Sequence, residues 1–183
     1  LHLEQGDDRV TAENTTAPLI VFGDDGADSI QSGDGSDIVF ADFGRVDYLN
    51  TAGELVTRFG LGQRGVIKDA VIPATDLVSI PFAQTDGEFY GPKVVTTRLI
   101  NTGWNDEVRG GAGNDLIFGG FGDDEIHGDA GDDILIGDNG RADYVAGKLV
   151  DVASGDPNLG GRDEMYGGVG SDLIIGGATA DNL

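Results

Sequence analysis

Aspartate recurs along this chain at a fixed interval and in constant company. Asp28 and Asp37 stand nine residues apart, as do Asp115, Asp124 and Asp133, and again Asp163, Asp172 and Asp181. Each closes a glycine-rich stretch of six, and all but the last are followed by a triplet with a large apolar residue at its centre. Asp8 and Asp106 hold the same place in looser copies. Carboxylates can move protons or ligate hard cations. A neighbouring pair such as Asp123 and Asp124 could suggest acid/base work, but within a repeat one reads as a loop residue and the other as a ligand. For any single Asp the plainer alternative is an Asx-turn without metal. For the array, regular spacing favours cation binding.

The elements that must position these carboxylates follow from the repeat. Residues 23–31 read GDDGADSIQ and 32–40 SGDGSDIVF; 110–118 read GGAGNDLIF, 119–127 GGFGDDEIH and 128–136 GDAGDDILI; 158–166 read NLGGRDEMY and 167–175 GGVGSDLII, followed by GGATADNL. Looser copies begin at Leu3 and Asn101. The shared pattern is G-G-x-G-x-D-x-U-x, with U a large apolar residue. The first six positions form a turn in which Gly permits positive φ and lets carbonyls crowd together. The last three are extended, and the U residues (Ile30, Val39, Ile117, Ile126, Leu135, Ile174) point inward. Nine residues make half a coil, so eighteen bring the chain back over itself with strands stacked in parallel. One apolar residue in nine is a thin core against the entropy of ordering the chain. Stacked carboxylates also repel. A divalent ion between turns reverses that repulsion, which makes binding and folding one event.

This pattern resembles the RTX (repeats-in-toxin) hemolysin-type calcium-binding nonapeptide, matched here in nine copies. The resemblance implies an all-β fold, a right-handed parallel β-roll. It implies Ca²⁺ ions, several of them, each between turns one coil apart. The sixth-position carboxylates would be those of Asp28, Asp37, Asp115, Asp124, Asp133, Asp163, Asp172 and Asp181, with Asp8 and Asp106 as weaker members. Loop carbonyls supply the rest, among them those of Gly23, Asp25, Gly110, Ala112, Gly119, Gly128 and Gly167. The turn 110–115 over 128–133 is the best expected site, then 101–106 over 119–124 and 158–163 over 176–181. RTX proteins are exported by type I secretion and fold outside the cell, so the resemblance implies an extracellular or cell-surface location.

Composition agrees. Eleven basic and 33 acidic residues give a net charge of −22, which argues against nucleic acid as a partner. Aspartate outnumbers glutamate 26 to 7, the balance of turns and oxygen ligands rather than of helices. Residues 49–100 are neutral, so the whole negative charge lies in the rest of the chain. There is no cysteine for a disulfide framework and no apolar run long enough to span a bilayer.

The repeat breaks twice in the same way, at ADFGRVDY (41–48) and GDNGRADY (137–144). The sixth position is Val46 or Ala142, and an Asp follows one residue late. Asp47 and Asp143 either bind metal or cap the turn. Each break leads into a Gly-centred, hairpin-like stretch. The expected organisation is repeats over 1–48, an inserted β-rich lobe over 49–100, repeats over 101–144, a β-hairpin extension over 145–157, and repeats over 158–183. Strand-like runs in the lobe are 54–59, 65–72, 76–82 and 93–100. The lobe is either a cap on the roll or a recognition module. A minor insertion is expected at 11–20, and Trp104 is expected at the junction of lobe and roll.

Neither H-E-x-x-H nor G-x-S-x-G occurs, and the only histidines are His2 and His127, the latter expected on an exposed strand face. No catalytic residue is expected. The reading is a calcium-binding structural domain of a large secreted or cell-surface protein of adhesin, filament or surface-layer type, compatible with self-association or an extracellular partner. The alternatives are the non-catalytic tail of a type I secreted hydrolase or toxin, and ligand recognition through 49–100.

Overall fold

The computed structural model describes residues 1–50, 52–60, 91–98 and 101–183. Among them every regular element is a strand: β1 (Arg9–Thr11), β2 (Ile20–Phe22), β3 (Ser29–Gln31), β4 (Ile38–Phe40), β5 (Gly44–Leu49), β6 (Leu55–Gly60), β7 (Val94–Thr97), β8 (Glu107–Ala112), β9 (Leu116–Phe118), β10 (Glu125–Ala130), β11 (Ile134–Ile136), β12 (Gly140–Val145), β13 (Lys148–Ser154), β14 (Glu164–Tyr166) and β15 (Leu173–Ile175). The short strands are positions seven to nine of the repeat. The chain places them alternately in two parallel sheets, ordered β1-β3-β8-β10-β14 and β2-β4-β9-β11-β15.

Position eight faces inward in both sheets. Val21, Ile30, Val39, Val108, Ile117, Ile126, Leu135 and Met165 are at most 1% exposed and form one apolar file. Their register survives every interruption: Ile30 pairs with Val108 and Ile126 with Met165, as Val108 pairs with Ile126. The insertions therefore leave the coil without shifting it, as the side-chain period of two demands.

A third sheet, antiparallel and ordered β13-β12-β7-β5-β6, was not anticipated. The described strands of the expected lobe and the hairpin belong to this one sheet. Hairpins β5–β6 and β12–β13 both pair with β7, which lies between them. The first excursion is under way at Gly44 and the second at Gly140, earlier than expected. The β12–β13 turn is two residues, Ala146 and Gly147, both at positive φ, as a tight hairpin requires. Of the four strand-like runs, 54–59 corresponds to β6 and 93–100 to β7; 65–72 and 76–82 lie outside the described residues.

This third sheet packs on the outer face of the second parallel sheet. Phe22, Phe40, Leu116, Phe118 and Ile136 from the coil meet Val46, Val95 and Ala142 in a second apolar core. Phe22, Phe40 and Phe118 stack face to face, centroids 5.0 and 5.1 Å apart, and His2 stacks on Phe22 at 4.4 Å. The described strands of the lobe thus cover a face of the coil. Two smaller expectations are corrected. Residues 14–19 are not an insertion but a turn of the coil with Leu19 at the aspartate position, since the Leu19 amide bonds Asp37 as its counterparts do. Trp104 is 42% exposed instead of packed at the junction.

Candidate metal centre

The sixth-position aspartates form two columns, one along each edge where the chain passes between the parallel sheets. Within a column each carboxylate reaches back one coil. Oδ1 of Asp28 accepts the amide of Asp8, Asp106 that of Asp28, Asp124 that of Asp106, Asp163 that of Asp124, and Asp181 that of Asp163, all at 2.7–3.1 Å. In the second column Asp115 accepts from Asp37, Asp133 from Asp115 and Asp172 from Asp133, at 2.8–3.0 Å. The three expected turn pairs are all neighbours here. The structure adds neighbours invisible to an eighteen-residue spacing: Asp28 with Asp106, Asp37 with Asp115, Asp124 with Asp163, and Asp133 with Asp172.

The second carboxylate oxygen tells more. Oδ2 of Asp8, Asp28, Asp106, Asp115, Asp124, Asp133 and Asp163 is buried and accepts no hydrogen bond. Six of these residues, all but Asp8, are at most 3% exposed. A buried anionic oxygen without a donor is costly. Burial accordingly pushes the carboxyls up, to about 6 for Asp28 and to about 7 for Asp106, Asp115 and Asp163, against opposing hydrogen bonds from backbone amides. Asp124 is raised well above the usual carboxylate range, by burial and then by the charge of Asp106.

What faces the orphan oxygen is another oxygen. A methyl group on Gly110 would lie 2.4 Å from Oδ2 of Asp115 and 2.8 Å from the carbonyl oxygen of Gly128 on the next coil. The same cradle recurs at Gly128, between Asp133 and the Gly167 carbonyl, and at Gly119, between Asp124 and the Gly137 carbonyl. Gly23 lies between Asp28 and the Ala41 carbonyl, and Gly137 between Asp163 and the Gly176 carbonyl. A side chain on any of these glycines would fill the cradle. No three His, Cys, Asp or Glu side chains gather for a metal among the described residues, so carbonyls must share the ligation with carboxylates. An all-oxygen donor set of carboxylate and backbone carbonyl suits a hard cation with flexible coordination, as Ca²⁺ is, and suits neither zinc nor copper.

A family of repeats matches this geometry: the RTX calcium-binding nonapeptide, in four copies over residues 20–45, 105–141 and 159–183. These segments are RTX calcium-binding nonapeptide repeats. No catalytic family is indicated, and neither the curated proteins nor the solved structures gave a significant match.

The RTX turns are not all alike. Asp172 and Asp181 lie half-buried in the last coil described. Asp37 differs more: its Oδ2 accepts the amide of Gly33 at 3.0 Å. The carbonyl of Asp25 accepts the Gly6 amide at 2.7 Å. Ala112 sits at the end of β8, its residue paired with Ala130.

Asp47 and Asp143 stand away from both columns, in the antiparallel sheet. Arg58 holds both oxygens of Asp47, at 2.5 and 3.1 Å, and Arg141 holds both of Asp143, at 2.6 Å. His127 stacks on Tyr166 and bonds Glu125 at 2.8 Å, a surface pairing with no second imidazole near it.

Sequence reasoning missed Asp42 and Asp138. Each break in the repeat is half a turn. Ala41 and Asp42 begin a first-column turn that Gly103 to Asp106 complete after the lobe; Gly137 and Asp138 begin another that Gly160 to Asp163 complete after the hairpin. The Asp163 carboxylate thereby lies in the cradle of Gly137. Asp42 accepts the amide of Phe121, one coil on, through Oδ2 at 2.7 Å, and its Oδ1 is buried without a donor. Asp138 accepts two amides, that of Gly161 on the returning half at 2.8 Å and that of Ala178 one coil on. Burial pushes Asp42 up to about 9. The signal was in the sequence: an Asp at the second position of each broken turn.

Proposed function

We propose that this chain is a calcium-dependent structural domain, a right-handed parallel β-roll that folds as Ca²⁺ bridges the aspartate columns. The observation that carries the reading is the row of buried Oδ2 atoms without a donor, five of which share a glycine cradle with a carbonyl oxygen of the next coil. The ligands are the carboxylates of Asp28, Asp115, Asp124, Asp133 and Asp163, each beside a cradle glycine, with Asp172 and Asp181 at the last coil; Asp8 and Asp106, whose turns open on Leu3 and Ala41 in place of that glycine, are weaker members. Carbonyls of Gly128, Gly137, Gly167, Gly176 and Ala41 complete the sets. The repeats occupy 1–43, 101–139 and 158–183, and the excursions between them build the antiparallel layer.

The setting is the exterior of the cell, within a large secreted or surface-attached protein of adhesin, filament or surface-layer type. A chain of net charge −22 stays expanded by self-repulsion until it meets millimolar calcium. The role is mechanical rather than catalytic. The described part of the lobe serves as a cover: its inward residues Val46 and Val95 are spent against the coil. A calcium titration of chelated protein, followed by far-ultraviolet circular dichroism and elemental analysis, tests the reading. A metal-free chain that is already fully β and binds no calcium would overturn it.

A further inference from the structure

Ser32 stands where five other turns of the roll have the cradle glycine. Its turn, 32–37, lies directly under 110–115: the Asp37 amide bonds Oδ1 of Asp115 at 2.8 Å, and Val39 pairs with Ile117. The level thus has the same register, the same aspartate and the same facing carbonyl as its neighbours. Ser32 and Asp37 are both fully buried. Yet no acceptor here lacks a donor. The Ser32 hydroxyl donates to the Gly110 carbonyl at 2.6 Å. Asp37 accepts the Leu19 amide on Oδ1 at 2.8 Å and the Gly33 amide on Oδ2 at 3.0 Å. In the turns above, the matching carbonyls of Gly128 and Gly167 face an orphan carboxylate oxygen instead.

We propose that Ser32 replaces a calcium ion: its hydroxyl caps the carbonyl that would otherwise ligate, so the second column carries no ion between turns 32–37 and 110–115. This rests on the calcium reading above and sharpens it. The side chain fills the space that glycine leaves open elsewhere, and the one proton it brings satisfies the oxygen that the cation would have bound. The second-column file of ions therefore begins at Gly110. Asp37, alone among the fully buried sixth-position aspartates, is a hydrogen-bond acceptor and not a ligand.

The test counts calcium per molecule in the desalted, calcium-loaded chain by elemental analysis and native mass spectrometry. Ser32→Gly is expected to bind one ion more than the wild type, and Ser32→Ala, whose methyl still fills the cradle, the same number. Asp37→Asn is expected to keep the wild-type count, whereas Asp133→Asn loses at least one ion. An unchanged count in Ser32→Gly, or a lost ion in Asp37→Asn, would overturn the proposal. Should Ser32→Gly fail to fold, the Asp37→Asn count decides alone. A wild type that binds no calcium would instead sink the underlying reading, and the two failures are distinct.

Discussion

Oδ1 of Asp138 accepts the backbone amide of Gly161 at 2.8 Å, joining the two ends of a turn from which the β12–β13 hairpin is looped out. Its Oδ2 accepts the amide of Ala178 on the next coil. One carboxylate thus closes the cut and fastens it upward. Asp42 fastens the larger excursion upward in the same way, through the amide of Phe121. The spliced turn can then present Asp163 to the cradle of Gly137 as if the chain had never left.

Asp138→Ala should therefore strand two amides inside the roll. An unpaired buried amide costs about 1–3 kcal/mol. The thermal midpoint of the calcium-loaded protein is expected to fall by several degrees. Asp151→Ala, on the exposed face of the hairpin, is expected to leave it unchanged. Equal melting of the two variants would show that the splice does not depend on Asp138.

Asp124 lies in the middle of the first column, its Oδ1 on the Asp106 amide and its Oδ2 without a donor. Asparagine in its place keeps the shape and the Oδ1 acceptor but removes the charge. Asp124→Asn should raise the calcium concentration at the midpoint of folding at least about tenfold, since a shift of that size needs only about 1.4 kcal/mol. Asp156→Asn, on an exposed turn, should not shift it. Identical midpoints would count against the ligand assignment.

Phe40 is sandwiched between Phe22 and Phe118 beneath the antiparallel sheet and is 1% exposed. Truncating such a ring leaves a cavity and costs about 3–5 kcal/mol. Phe40→Ala should lower stability by that order in a denaturant titration at saturating calcium. Tyr166→Ala, on the uncovered face of the first parallel sheet, should cost far less. A small loss at Phe40 would mean that the third sheet is not held by this core.

The file of Ile30, Val39, Ile117, Ile126 and Leu135 was legible because each residue sits at a fixed offset from a glycine and an aspartate. The turns that pair across uninterrupted sequence were legible for the same reason. The covering sheet was written less openly. Position nine is apolar in alternate repeats (Phe22, Phe40, Phe118, Ile136, Ile175) and polar in the others (Thr11, Gln31, Arg109, His127, Tyr166). That alternation says that only one sheet has a covered outer face. The splices could not be read from contiguous windows, because Ala41 and Asp106 meet only after the whole lobe has been traversed. Ser32 departs visibly from the first-position glycine, but the use of its hydroxyl depends on the Gly110 carbonyl, 78 residues away in sequence.

Burial sets the pH dependence of the metal-free fold. Asp106, Asp115 and Asp163 are pushed up to about 7 and Asp28 to about 6, against about 3.9 for a carboxyl in an unfolded chain. Between those limits the folded state holds protons that the unfolded chain has released. The stability so gained is complete below about pH 4 and is lost as the pH rises through 6 to 7. Calcium competes with the same protons, so its apparent affinity rises over the same window. In the presence of chelator, the β content by circular dichroism is expected to be higher near pH 4.5 than near pH 8. With saturating calcium the order should reverse, because the deprotonated columns are then bridged instead of repelling. A chelated protein whose β content does not change across that range would show that these carboxyls are not forced together by the fold.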